Sequence, residues 1–356
     1  NFFDLIVIGS HLSKNFGYSF KNIEKKLFNK IFKIKLNLDK NDEINQNRSV
    51  SEIVYKTGIY FNKHKTDLLI VLGDRFEMFA VVIAAMNFRI PIAHIHGGEL
   101  TLGAIDDSIR HCITKLSHIH FVTHRNYKKR LIQLGENSKN IIISGSLSND
   151  RLTNLTFLKK KDLELKYNFK FRKINILVTF HPETLNETYS NKQIIQLLNA
   201  LKYFNEDYTI LYTSPNNDIG SKFIIKKIKD TCIKKDNHYF VKTMENDDYY
   251  SMIKNFDILV GNSSSGIIEA PYFKKPNINI GLRQEGREKA QSNIDCIAQE
   301  KQIIHAIKKS LSNKFRNRIK NMKNPYFKKN SNNIVAKNLK DINLKNLVQK
   351  KFVDRF

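Results

Sequence analysis

Short apolar runs that close on a glycine, a serine or a charged residue alternate with helix-period segments through most of this chain. That alternation constrains the fold more than any other feature. The first half gives runs at 4–10 (DLIVIGS), 68–73 (LLIVLG, before Asp74 and Arg75), 90–96 (IPIAHIH, before Gly97, Gly98 and Glu99), 118–123 and 140–144. Continuous Ile/Val/Leu runs of this length read as parallel strands covered on both faces. Helical segments lie between them at 76–86, 105–116 and 127–134, the first apolar nearly all round and the other two amphipathic. The pattern restarts with runs at 174–180, 208–213, 238–242, 257–260 and 277–280, and helices at 192–204, 221–234 and 247–255. Strand, helix, strand repeated in this way builds βαβ units and a parallel sheet. The fold class is therefore α/β, with two doubly wound lobes and a cleft between them. The lobes are expected at 1–158 and 159–330, joined through the polar stretch around Lys159, Lys160, Lys161 and Asp162. A Lys/Asn-rich end, 313–356, is expected to hold two helices, with 331–356 packing back on the first lobe.

A length of 356 residues is enough for two such lobes, each with its own core. The opening residues show no basic leader or small-residue cleavage site, and no apolar run is long enough for a membrane span. Cys112, Cys232 and Cys296 are widely separated and fit neither a disulfide framework nor a zinc pattern, so a cytoplasmic setting is expected. The formal charge of +26 calls for a decision about nucleic acid. Most of the excess is Lys spread along the chain, and no tract interleaves Arg with aromatics as a base-stacking platform would. Neither nucleic acid nor membrane is expected as a partner; a Lys-rich surface that favours a small anionic substrate is.

In open α/β sheets ligands bind at the carboxyl ends of strands, so the residues that close each run are where chemistry is sought. Asp74 follows its strand directly and is either a general base or the N-cap of the next helix. His94, His96 and Glu99 resemble metal ligands, but the cysteines cannot complete a site, and Gly97-Gly98 reads better as a tight turn presenting Glu99. Asp106, Asp107, Arg110 and His111 share the first turns of a helix, with Asp106 and Arg110 at i, i+4 spacing. Crowded carboxylates raise one another's pKa, which lets one serve as acid and another as base. In the second half His181, before Pro182, is a proton carrier or a satisfied polar residue. The bend Gly261-Asn262-Ser263-Ser264-Ser265-Gly266 leads toward a helix carrying Glu269 and offers hydroxyls and backbone N–H groups to a diphosphate. Arg283, after the next strand, could clamp a phosphate.

Taken together, LGDRFE (72–77), HIHGGELTLGAIDDSIRH (94–111), YKKRLIQLGE (127–136), FHPETL (180–185), GNSSSGIIE (261–269) and GLRQEGR (281–287) resemble the hydrolysing UDP-N-acetylglucosamine 2-epimerases of bacterial sialic acid synthesis, in order and spacing. The resemblance implies a glycosyltransferase-B-like fold of two Rossmann-type lobes. It implies conversion of UDP-N-acetylglucosamine and water to N-acetylmannosamine and UDP through a 2-acetamidoglucal. It makes Asp74, Glu99 and Asp106 the acid/base carboxylates, with His181 assisting at the diphosphate or leaving oxygen. It gives Asn216, Ser263, Ser264, Gly266, Glu269 and Arg283 to UDP, with Arg75, His96 and Arg110 as further substrate-binding residues. No metal or redox cofactor is implied, and relatives form dimers or tetramers. Two other readings share the fold: a paralogue acting on UDP-2,4-diacetamido-2,4,6-trideoxyglucose for legionaminic acid, and a retaining glycosyltransferase. Family members open with an extra strand and a Gly-Ser-Arg type loop, whereas Gly9-Ser10-His11-Leu12 corresponds to a later Gly-x-His-Leu segment. The first strand and loop are therefore expected to be missing, and this chain alone to bind UDP weakly and dissolve poorly.

Overall fold

The structure, a computed structural model, describes residues 3–14, 18–38 and 42–354. The chain divides into two compact units. One comprises Asn1–Glu99, Asp106–Ser144 and Asn332–Phe356; the other comprises Leu100–Ile105 and Gly145–Ser331.

In the first unit β1 (Asp4–Ile8) pairs in parallel with β2 (Lys30–Ile34) as a two-stranded sheet. A separate parallel sheet runs in sequence order through β3 (Leu69–Leu72), β4 (Ile92–Ile95), β5 (Ile119–Val122) and β6 (Ile141–Ile143). The helices are α1 (Glu43–Lys63), α2 (Phe76–Asn87), α3 (Ile105–Leu116) and α4 (Arg125–Gln133). Ile6 and Phe32 of the small sheet, Val71 and Ile92 of the larger one and Val82 of α2 share one hydrophobic cluster. Strands β4 and β5 are buried at every position, which is why they read as unbroken apolar runs.

Two elements of this unit escape the periodicity argument for physical reasons. Helix α1 buries Ser49, Ile53, Thr57, Tyr60 and Phe61, a correct helical stripe, but Ser and Thr interrupt its apolar signal. Its start is fixed by Asp42, whose carboxylate accepts the Asn45 N–H at 2.8 Å. Strand β2 is half-buried and carries Lys30 and Lys33, so it lacks the run that marks a covered strand.

The second unit holds α5 (Ser148–Asn154), α6 (Lys160–Tyr167) and a six-stranded parallel sheet. Its strands are β7 (Ile174–Thr179), β8 (Tyr208–Thr213), β9 (His238–Val241), β10 (Ile258–Gly261), β11 (Asn277–Ile280) and β12 (Asn293–Cys296), in the spatial order β12-β11-β10-β7-β8-β9. The order reverses direction at β7 and β10, the doubly wound arrangement. Helices α7 (Glu187–Lys202), α8 (Ser221–Cys232), α9 (Asn246–Asn255), α10 (Ser265–Ile268), α11 (Glu300–Leu311) and α12 (Asn313–Ile319) complete it. Alternation along the strands sorts the core onto two faces. Ile176, Val178, Ile210, Tyr212, Ile258 and Val260 enter one cluster, and Leu177, Leu211 and Leu259 enter the other. The stretch read as a connection forms α6, which buries only Leu163.

The end of the chain contributes α13 (Ser331–Lys340) and an extended segment belonging to the first unit. With α12 it makes two helices among the described residues of 313–356, the number expected. Near the terminus the Val353 N–H donates to the Gly135 carbonyl at 3.0 Å. Gly135 has φ +79°, and a Cβ there would lie 2.4 Å from the Phe352 ring, so a glycine is needed for both reasons. Among the described residues no helix is long and apolar enough to cross a membrane.

Candidate active site

Polar residues gather at the carboxyl ends of the strands in each unit. In the first unit the organising group is Arg110, whose side chain is 3% exposed. It is ion-paired with Asp74 at the end of β3, donates to the Glu99 carbonyl at 2.8 Å and lies 3.5 Å from Asp107. The N-cap of α2 is Arg75 without a side-chain cap bond, so Asp74 does not cap that helix and is held by Arg110 instead. Arg75 donates to Glu77 at 3.1 Å and stacks over Phe76. Arg110 was expected beside Asp106, one turn back; it also reaches across to Asp74 at the end of β3, a non-local link that sequence spacing does not contain. Asp106 is half-buried in the first turn of α3, where the helix dipole favours an anion.

The turn after β4 is built with strain. His96 has φ +69°, an uncommon conformation for a residue with a side chain. Its Nδ1 lies 2.9 Å from Glu99 Oε1, and Thr123 donates to the same oxygen at 3.0 Å. Glu99 is only 2% exposed, so it is an enclosed, oriented carboxylate and not an open one. Gly98 has φ +79°, and a Cβ there would come within 2.5 Å of Leu131, so the Gly-Gly turn permits a close approach to α4. His94 takes no part in the turn's chemistry. It is fully buried, with Nε2 2.9 Å from the Gly73 carbonyl and Nδ1 3.3 Å from Thr114 Oγ1. The first contact needs a proton on Nε2 and the second makes Nδ1 an acceptor, the neutral tautomer. Burial pushes its pKa down to about 3, in keeping with that form.

In the second unit Asn262, fully buried at the end of β10, ties three strand ends together. Its Oδ1 accepts the His181 N–H at 2.7 Å and its Nδ2 donates to the His181 carbonyl at 2.9 Å. Its own carbonyl accepts from Arg283 at 3.1 Å and from Gln284 at 2.8 Å. His181 Nδ1 accepts the backbone N–H of Asn216 at 3.1 Å, which places the proton of a neutral ring on Nε2. Asn216 thus acts on His181 through its main chain. Arg287 donates to the Leu100 carbonyl at 2.7 Å and to Thr101 at 3.1 Å, fastening the Leu100–Ile105 segment. Near it, burial raises the Glu183 carboxyl, opposed by the neighbouring Gln193 amide and by the charge of Arg283.

The serine bend is tighter than its sequence suggests. Helix α10 has four residues and passes directly into a 3-10 turn (Ala270–Phe273), so Glu269 is its C-cap. Gly266 has a packing reason: a Cβ there would sit 2.1 Å from Asn277 Oδ1 on β11. Gly261, at φ +143°, would place a Cβ 1.9 Å from the Thr179 carbonyl of β7. Gly261→Ala is therefore expected to lower stability by about 3 kcal/mol, from strain plus overpacking. Urea unfolding checks this, and an unchanged midpoint would contradict the geometry.

Sequence reading missed Thr123, Arg130, Asn262, Gln284 and Arg287 as parts of these arrangements. Arg130 donates to the Gly98 carbonyl. Arg130, Asn262, Gln284 and Arg287 stood within motifs already singled out and Thr123 closed a strand run, but their partners lie across long sequence separations that no local pattern shows.

Comparison with known proteins accords with this architecture. The family profile described as UDP-N-acetylglucosamine 2-epimerase matches residues 3–340. The chain is 41% identical over 354 residues to the GDP/UDP-N,N'-diacetylbacillosamine 2-epimerase (hydrolyzing) of Campylobacter jejuni, covering 98% of this chain and 91% of that protein. It is 38% identical over 352 residues to the polysialic acid biosynthesis protein P7 of Escherichia coli, covering 99% and 90%. Among solved structures, the UDP-GlcNAc 2-epimerase of Neisseria meningitidis bound to UDP-GlcNAc superposes with a TM-score of 0.75 at 17% identity, covering 95% of this chain and 100% of that one. The S. aureus MnaA–UDP structure gives 0.73 at 17% identity with full coverage of both. These structures share the glycosyltransferase-B-like fold of two Rossmann-type lobes. On the span of the profile and the identity to relatives of nearly equal length, this chain belongs to the UDP-N-acetylglucosamine 2-epimerase family.

Proposed function

We propose that the chain is a hydrolysing UDP-sugar 2-epimerase that converts UDP-N-acetylglucosamine and water to N-acetylmannosamine and UDP, for nonulosonic acid synthesis. The observation that carries this reading is the convergence on Arg110 of Asp74, the Glu99 turn and the acidic start of α3. A weakly acidic C2–H needs a positioned base, and the groups there are carboxylates whose orientation is fixed by hydrogen bonds. One carboxylate removes the C2 proton, the C2–H electron pair forms the C1=C2 bond, and UDP departs from C1 with its bonding electrons. Water then adds its oxygen to C1 while a proton returns to C2 from the opposite face. No oxidation state changes overall, so no redox cofactor is required. We assign acid/base work to Asp74, Glu99 and Asp106, and UDP recognition to Asn216, Ser263, Ser264, Gly266, Glu269 and Arg283. Arg75, His96 and Arg110 would shape the sugar side. His181 Nε2, oriented by the Asn216 N–H, would serve the diphosphate or the leaving oxygen. A cytoplasmic dimer or tetramer is the setting we propose.

A second substrate is favoured by one observation: the 41%-identical Campylobacter relative is named for a diacetylbacillosamine substrate. UDP-2,4-diacetamido-2,4,6-trideoxyglucose undergoes the same chemistry with a different C4/C6 surround. Incubating the chain with each UDP-sugar in heavy water, and following products by NMR, decides between them. The expected result is release of UDP and a free 2-epimeric sugar carrying one deuterium at C2. Retention of protium at C2, or transfer of the sugar to an acceptor, would refute the elimination.

A further inference from the structure

Behind the serine bend lies a line of hydroxyl groups, with one long link between Thr179 and Tyr249. Thr213 Oγ1 is 2.6 Å from Thr179 Oγ1, which is 3.4 Å from Tyr249 Oη. Tyr249 Oη is 2.6 Å from Ser265 Oγ, and Ser265 Oγ is 3.1 Å from Ser263 Oγ. The strands β7 and β8, helix α9 and the bend each contribute members, so the line is assembled by the fold and invisible in any local motif. At its inner end Thr213 reaches the Val178 carbonyl at 3.4 Å, a long contact.

A hydroxyl donates one hydrogen and accepts others, so such a line has two self-consistent orders. In one, every O–H points inward and the last hydrogen goes to Val178, leaving Ser263 to face outward with lone pairs. In the other, every O–H points outward and Ser263 has a hydrogen to give. The inward order ends on the weak 3.4 Å contact. An anion at Ser263 would replace that contact with a charge-assisted bond, and each donor in the row would strengthen the next. Tyr249 stands in the middle, and phenol is more acidic than an aliphatic alcohol, hence the strongest donor in the line. Burial raises its pKa further, so it stays protonated at neutral pH and keeps that hydrogen.

We infer that Tyr249 is a positioning residue for the diphosphate: through Ser265 it sets the O–H direction of the serine bend, and the whole line turns outward when a phosphate binds. This rests on the proposed reading that the bend takes UDP. It assigns a role to a residue one layer behind the ligand, and it predicts an effect confined to the phosphate end.

Calorimetric titration of the full chain with UDP and with uridine tests it. Tyr249→Phe keeps the ring and removes the hydroxyl. It is expected to weaken UDP about fivefold, the size of one hydrogen bond, with uridine unchanged. KM for the UDP-sugar should rise by a similar factor with little change in kcat. Ser265→Ala should weaken UDP as well, and the double variant should bind no more weakly than Ser265→Ala, because the phenol then has nothing to orient. Wild-type affinity for UDP in Tyr249→Phe, an equal loss for uridine, or effects that multiply in the double variant would each overturn the inference while leaving the epimerase reading in place. A wild-type chain that binds neither compound overturns the epimerase reading and this inference together.

Discussion

Asp74→Asn is expected to lower kcat for UDP release by about 10³-fold, the usual range for losing a positioned general acid or base. Asn matches Asp in shape, so the substitution changes charge and basicity without opening space. Arg110 would still hold the Glu99 carbonyl at 2.8 Å and face Asp107 at 3.5 Å, so its guanidinium does not become an uncompensated buried charge. UDP affinity should stay near wild type, because the groups assigned to the diphosphate lie elsewhere in the chain. A catalytic collapse with intact UDP binding and an intact unfolding midpoint is thus the expected signature. Arg110→Met should behave differently. It frees Asp74 and the turn together and costs stability as well as rate, because the buried cation anchors both. Full activity in Asp74→Asn would remove Asp74 from the acid/base set and shift that role to Glu99 or Asp106.

The contrast between these variants shows which parts of the molecule the sequence exposes. Covered parallel strands announce themselves: β8 and β11 begin and end where their apolar runs do, and α3 occupies the expected 105–116. Elements with mixed faces do not. Helix α11 buries Ile303, Ala306, Ile307 and Ser310 under a mostly charged surface, and β12, at the sheet edge, is the polar run NIDC. The strand-end rule located Asp74, His181 and the serine bend because each is the next residue after an apolar run. It could not show that Arg110 reaches Asp74 from 36 positions away, or that Asn262 brackets the His181 backbone from 81 positions away. Those links come from the order of strands in space, β3 beside β4 and β7 beside β10, which periodicity does not encode.

Glu136→Gln is expected to destabilise the first unit by about 3 kcal/mol at neutral pH, because it breaks a buried ionic cluster by removing the anion its cations share. Glu136 is 1% exposed. Its carboxylate accepts from Lys115 at 2.8 Å, from Lys350 at 2.6 Å and from His120 at 3.1 Å. Lys350 also donates to the carbonyls of Thr114, Lys115 and Ser117, at 3.2, 2.8 and 2.6 Å. These are the orphan acceptors at the end of α3, so a residue from the chain's last turns caps the helix whose start carries Asp106, Asp107 and Arg110. The hydrogen bonds outweigh burial and hold the Glu136 pKa down at about 2, while His120 is lowered by burial and donates as a neutral ring. A carboxylate with a depressed folded pKa adds stability that is present above its unfolded value of roughly 4.3 and is lost as pH falls through the folded one. Urea unfolding of wild type should therefore weaken between about pH 4.3 and pH 2 by more than the Gln variant does, and the gap between them should close at the acid end. Lys350→Met should cost stability too, through the three bare carbonyls, but should leave Glu136 with Lys115 and His120 and so retain most of the acid slope. Parallel pH profiles for wild type and Glu136→Gln would mean that the cluster contributes packing alone.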